Sequence, residues 1–173
     1  EAIIMKFNNI MHVSFFTDQM DAMRDFYENK LCLKAKMIVR YEAYKDKEGH
    51  PWAKVAKEIP LDICLIYIEI ANGQFIELFP KADGQKEHPE YNQHLGYSHF
   101  SLTVDDIFKA RDELIAAGID IDIEPKIGNS HTWQMWIHDP DGNRIEMMQY
   151  TDESFQITGN IEDDEKLLKS LGK

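Results

Sequence analysis

The sequence predicts an α+β protein built from two copies of one module, each a strand, a helix and three further strands. Three observations carry that prediction. Each copy opens on an alternating strand signal that starts with a His, an apolar residue and a Ser, "HVSFF" at 12–16 and "HFSLT" at 99–103. Each continues into a capped helix. Each closes on a strand with a glutamate at its centre, "FIELF" at 75–79 and "RIEMM" at 144–148. Self-similarity of this kind marks a repeated structural unit.

The elements follow in order. "NNIMHVSFF" (8–16) reads as a strand, and "TDQMDAMRDFYENKL" (17–31) as a helix with Met20, Met23, Tyr27 and Leu31 on one face and Thr17 or Asp18 as its cap. Residues 33–60 read as a strand followed by a long, charged excursion over 40–60 with a Glu-Gly-His-Pro turn. "LDICLIYIEI" (61–70) and "QFIELFP" (74–80) are strands joined by "ANG", a hairpin signal. The first module thus spans 8–80, and the polar stretch 81–96, with Gly and Pro but no periodicity, reads as a linker. The second module, 97–150, restarts with a strand at 97–104 and a helix at 105–118, with Asp105 as N-cap and Gly118 as stop. It ends with strands in "IDIDIEP", "HTWQMWIH" and "NRIEMMQY". The tail, 151–173, reads as a short docking helix or a frayed end. His12 to Glu77 is 65 positions and His99 to Glu146 is 47, so the first module carries 18 more residues, which the excursion supplies.

Composition narrows the function classes. At 173 residues and 43% hydrophobic, the chain can bury a core. A formal charge of −12 repels phosphate backbones and anionic lipid, which excludes nucleic acid and membrane surfaces as expected partners. Cys32 and Cys64 are far apart with no Cys-x-x-Cys spacing, against a disulfide framework or a structural zinc site, and a reducing cytoplasm is the expected location. No apolar run approaches the roughly 20 residues that span a bilayer, and "EAIIMKFNNI" has no signal-peptide pattern.

The two glutamates raise the chemical question. A carboxylate on a half-buried strand face costs several kcal/mol, roughly, unless paired, protonated or bound to a cation. Strand alternation puts His12 with Ile10 and Ser14, Glu77 with Phe75 and Phe79, His99 with Tyr97 and Ser101, and Glu146 with Arg144 and Met148. One strand His is more commonly a solvated or satisfied core residue than a ligand, and Glu146 alone could pair with Arg144. Four such residues on equivalent strands of a repeat are a different matter. If the modules pair about a pseudo-two-fold axis, His12, Glu77, His99 and Glu146 converge as imidazole and carboxylate ligands of one divalent transition metal, with Zn, Ni, Mn, Co and Fe all compatible. His131, Trp133 and Trp136 sit where a pocket rim could form.

At these residues the chain resembles a known family. His12, "FYENKLCL" after the first helix, and above all "DPDGNRIEM" are similar to the vicinal oxygen chelate superfamily, which includes glyoxalase I, methylmalonyl-CoA epimerase, extradiol dioxygenases, and fosfomycin- and bleomycin-resistance proteins. The resemblance covers about residues 8–150. It implies paired βαβββ modules forming a cupped mixed sheet, helices outside, around a metal held by His12, Glu77, His99 and Glu146. The His/Glu/His/Glu set resembles glyoxalase I most closely. There are departures. Phe16 stands where bacterial glyoxalase I enzymes have a glutathione-binding Arg, Lys81 replaces an Asn, and Leu31-Cys32-Leu33 replaces the usual Leu-Gly-Leu.

The resemblance therefore implies a lyase or isomerase acting on a small carbonyl substrate through an enediolate-type intermediate, with Glu146 as base, Glu77 as its partner, and Phe16, His131 and Trp133 as candidate substrate contacts. Two other readings use the same residues. A ferrous extradiol-type dioxygenase would use His12, His99 and Glu146, and a bleomycin resistance-like protein would bind a small molecule without catalysis. A homodimer is the expected assembly, with the modules paired within a chain or exchanged between two.

Overall fold

The computed structural model describes residues 5–90 and 93–173, so Tyr91 and Asn92 of the expected linker and the first four residues lie outside the described residues. The chain divides into two compact units, Glu1–Pro89 and Glu90–Lys173. Each is an α+β module with a four-stranded mixed sheet.

In the first unit, β1 (His12–Thr17) leads into α1 (Met20–Arg24), which continues as a wider π-helical turn over Asp25–Lys30. β2 (Lys34–Arg40), β3 (Ile63–Ala71) and β4 (Gln74–Pro80) complete the sheet in the order β1-β4-β3-β2. β1 runs parallel to β4, and the other pairs are antiparallel. The predicted helix is displaced at its start. Gln19, not Thr17 or Asp18, is the cap residue, and Thr17 turns its hydroxyl back to accept from the Gln19 N–H at 3.1 Å. Met23, Tyr27, Ile66, Ile68, Ile76 and Leu78 are fully buried, which places the core on the helix-covered face of the sheet. Burial of each such side chain stabilises the fold by about 1.5–3 kcal/mol. The alternate residues of β1, β3 and β4 face away from that core.

The excursion has structure of its own. Tyr41–Tyr44 form a 3-10 turn and Ala53–Glu58 form α2. It starts and finishes at one point, because the Tyr41 N–H donates to the Asp62 carbonyl at 3.1 Å and the Glu42 N–H to the Pro60 carbonyl at 2.8 Å. Tyr41, Ala56 and Cys64 form a small buried cluster, with Tyr44, Trp52 and Leu65 packed on it. Burial holds the Cys64 thiol above its usual range, and its S–H donates to the Val39 carbonyl at 3.2 Å, so it is a packed thiol rather than a metal-ligating thiolate.

The second unit repeats the plan. β5 (Phe100–Thr103), α3 (Ile107–Ala116), β6 (Ile123–Ile127), β7 (Trp133–His138) and β8 (Arg144–Gln149) give the sheet order β5-β8-β7-β6, again with the first and last strands parallel. The helix cap is Asp106 rather than Asp105. Its carboxylate accepts from the N–H groups of Phe108 and Lys109, both at 3.0 Å, two of the four orphan donors of a helix start. Gly118 ends the helix with φ 75°, as its sequence position predicts. The tail folds as α4 (Phe155–Thr158) and α5 (Ile161–Ser170).

The Asp-Pro-Asp-Gly-Asn turn fixes where β8 begins. Asp139, 1% exposed, accepts from the Asp141 and Asn143 backbone N–H groups at 3.0 and 2.9 Å and from Asn143 Nδ2 at 2.8 Å. Gly142 supplies the left-handed residue, φ 80°, that the turn requires. Asp139→Ala strands three donors in a buried turn and is expected to lower unfolding free energy by about 2–4 kcal/mol, read from urea titrations. A loss under about 0.5 kcal/mol, the level of an ordinary surface substitution, refutes this account of the turn.

Candidate metal centre

Each unit presents one His–Glu pair on the face of its sheet opposite the helix-covered core. In the first, the β1–β4 register sets Ser14 beside Glu77 and His12 beside Phe75, so His12 and Glu77 are diagonal neighbours on adjacent strands. His12 Nε2 lies 3.3 Å from a Glu77 carboxylate oxygen. In the second, Ser101 sits beside Glu146 in the same register, and His99 Nε2 lies 3.4 Å from the Glu146 carboxylate. The repeat is therefore reproduced to the level of individual side-chain contacts.

The geometry of these pairs suits a shared cation. His12 Nδ1 is 3.0 Å from Met11 Sδ, which leaves Nε2 to face the Glu77 carboxylate. Glu77 is 7% exposed, so water does little for its charge, and an imidazole N–H or a metal ion is the partner this position offers. Two ligands at about 2.1 Å from one ion and about 90–109° apart are about 3.0–3.4 Å from each other. The spacings of 3.3 and 3.4 Å fit that span. His99 Nδ1 likewise has a partner, Ser98 Oγ at 2.9 Å, which orients the ring. Among the described residues no three His, Cys, Asp or Glu side chains gather into one metal-holding group; within each unit one His and one Glu meet.

The glutamates differ in their supports. Tyr67 of β3 pairs with Glu77 across the strands, and its phenol donates a hydrogen bond to the carboxylate. Burial first, and that carboxylate second, hold the Tyr67 phenol above its ordinary range, so it remains a donor. Its ring meets His12 edge-on at 5.6 Å. Trp136 of β7 has the equivalent place beside Glu146, 4.7 Å from the His99 ring, with the Arg144 guanidinium 4.1 Å above its indole. Tyrosine on one side and tryptophan on the other give one carboxylate a phenol donor at the cross-strand position and the other an indole.

The remaining sequence candidates fall in different places. Phe16 is on the His12–Glu77 face, opposite Phe79 in register. Trp133 is not on the Glu146 face. It shares the face of the buried Met135 and Ile137, and its ring packs 5.0 Å from Phe108 of α3, because an odd position on β7 points to the helix while Trp136 points to the glutamate. His131 belongs to the turn before β7, φ 59°, where it meets Glu153 at 3.6 Å and Phe155 at 4.7 Å. That contact, with the buried hydroxyl pair of Thr132 and Ser154 at 2.9 Å, docks the tail rather than lining the sheet face. Tyr67 had no sequence signal of its own. Its role depends on cross-strand register.

With the duplicated module and its two His–Glu pairs in place, comparison with known families is decisive. The family model of the Glyoxalase/Bleomycin resistance protein/Dioxygenase superfamily matches residues 9–147. The chain belongs to this superfamily. Among solved structures, a glyoxalase family protein from Enterococcus faecalis is 22% identical with a TM-score of 0.62, over 82% of this chain and 98% of that one. A lactoylglutathione lyase from Agrobacterium tumefaciens is 19% identical, TM-score 0.54, over 84% and 96%. A glyoxalase/dioxygenase from Nostoc punctiforme is 16% identical, TM-score 0.56, over 88% and 99%. At these identities the likeness is one of fold. No curated protein matches the sequence. Among the described residues no helix is long and apolar enough to cross a membrane.

Proposed function

We propose that the protein is a metal-dependent lyase or isomerase of the glyoxalase type, working in the cytoplasm on a small substrate with a carbonyl and a neighbouring oxygen. The observation that carries the reading is the pair of facing His–Glu contacts at 3.3 and 3.4 Å on equivalent strands. His12, Glu77, His99 and Glu146 would hold one divalent ion, brought together when the modules pair within a chain or are exchanged between the chains of a homodimer. When bound, a divalent ion supplies positive charge beside two neighbouring substrate oxygens. Glu146 removes the proton next to the carbonyl and returns it to the adjacent carbon, leaving an enediolate-type species in between. Glu77, held by the Tyr67 phenol, stays in place. A dioxygenase would use His12, His99 and Glu146 only. Glu77, buried and turned to His12 in the same manner as Glu146 to His99, favours the four-residue set.

Elemental analysis of protein purified without a His tag tests the reading. About one transition metal ion per chain is expected, and His12→Ala or His99→Ala should weaken its affinity by more than about 100-fold, the upper range for losing a mere supporting residue. Absence of binding after reconstitution with each of the five metals refutes it and leaves a non-catalytic binding protein.

A further inference from the structure

The His12–Glu77 face continues into an aromatic patch. Along β4, Phe79 follows Glu77 on the same side, and in register it lies opposite Phe16 of β1, the rings 5.5 Å apart. The excursion brings Trp52 to Phe79 from the other side, at 6.1 Å. Trp52 does not hang loose. Tyr44 and Tyr41 meet its indole edge-on at 5.0 and 6.0 Å, and it packs on the buried cluster of Tyr41, Ala56 and Cys64. Phe16, by contrast, is 55% exposed. A pinned indole, a half-buried phenyl and an open phenyl thus form a row beside the polar pair.

On the reading above, which this inference deepens, we propose that Phe16, Phe79 and Trp52 seat an aromatic ring of the substrate. Two residues along a strand span about 6.6–6.8 Å, so the ring lies a bond or two from the oxygens held beside Glu77. The substrate class is an aryl compound with two neighbouring oxygens, such as an aryl hydroxyketone. Binding pockets are built this way, with apolar walls and a few placed polar groups, and planar rings gain from edge-on and offset contacts with such walls. A charged substituent is disfavoured here. Lys81, next along the chain after β4, is already held by Glu87 at 2.8 Å and Asp18 at 3.5 Å.

Hydroxamates test this, because they chelate metals through two neighbouring oxygens with or without a ring. Calorimetry on the metal-loaded full chain should show benzohydroxamate binding about tenfold or more tighter than acetohydroxamate. Trp52→Ala and the surface variant Phe16→Ser should each erase most of that preference and leave acetohydroxamate affinity unchanged. The Trp52 indole N–H resonance, assigned by its loss in Trp52→Phe, should move with benzohydroxamate and not with acetohydroxamate. Equal affinity for the two probes, or a preference that survives both variants, overturns the aromatic seat while the chelate reading stands. Failure of both probes on protein that holds metal overturns the chelate reading and the seat with it. If the variants change the mass in solution but not the preference, the patch is a contact between copies and the proposal falls.

Discussion

Glu146→Gln is expected to slow proton exchange at the carbon next to a substrate carbonyl by about 100- to 10,000-fold, the range a positioned general base supplies, with the fold intact. Glutamine keeps the shape of the side chain and removes its capacity to take a proton. The expected asymmetry with Glu77 comes from their neighbours. The Tyr67 phenol at the cross-strand position holds Glu77 in place, whereas the cross-strand neighbour of Glu146 is the indole of Trp136. Deuterium incorporation from D2O into the methylene of 2-hydroxyacetophenone, followed by proton NMR, reads the step directly. A variant within a few-fold of the parent rate ends the assignment of Glu146 as base. Tyr67→Phe should have a smaller effect on this rate and a larger one on metal retention, since it removes a support of a ligand.

Adding a divalent metal, and then removing it, is expected to be the second large perturbation. A ligand that binds only the folded state at 1,000 times its Kd adds about 4 kcal/mol of stability, which for a chain of this size raises Tm by about 8–16 °C. The effect should be reversed by chelator and should vanish in a His99→Ala/Glu146→Ala protein. Both outcomes follow from His–Glu spacings of 3.3 and 3.4 Å that suit two ligands of one ion. An unfolding profile indifferent to metal and chelator contradicts a buried four-ligand site.

Much of this arrangement was legible in the residues. The two His-apolar-Ser openings and the two glutamate-centred strands identified the duplication, and the registers that set Ser14 beside Glu77 and Ser101 beside Glu146 reproduce it in space. What escaped was governed by shifts of one position. Two adjacent aspartates offer equal capping chemistry, and only the backbone decides that Asp106 serves. Trp133 and Trp136 are both aromatic strand residues, and their parity separates a helix contact from a site contact. Tyr67 is the sharpest case. Extrapolating the hairpin from its Ala71–Gln74 pair would set Ile68 opposite Glu77, but a bulge between Glu69 and Ala71 advances the strand and delivers Tyr67 instead. No periodicity announces such a bulge. Trp52 was hidden for another reason, since it reaches the site from a segment that belongs to neither strand pattern.

The closure of that segment on itself has an evolutionary reading. Its two ends are stitched together by adjacent backbone hydrogen bonds at Tyr41 and Glu42, so everything between them is an appendix to the sheet rather than a part of it. Such an appendix can be lengthened, trimmed or exchanged without moving His12 or Glu77, because loop length costs little once the ends are fixed. On the proposed reading, the duplicated module carries a His–Glu pair in each copy, while a single-copy insertion supplies one wall of the aromatic seat. Relatives sharing the frame would therefore diverge in what they accept by exchanging this insertion like a cassette, and grafting a foreign one between Arg40 and Asp62 is a direct route to retargeting the protein.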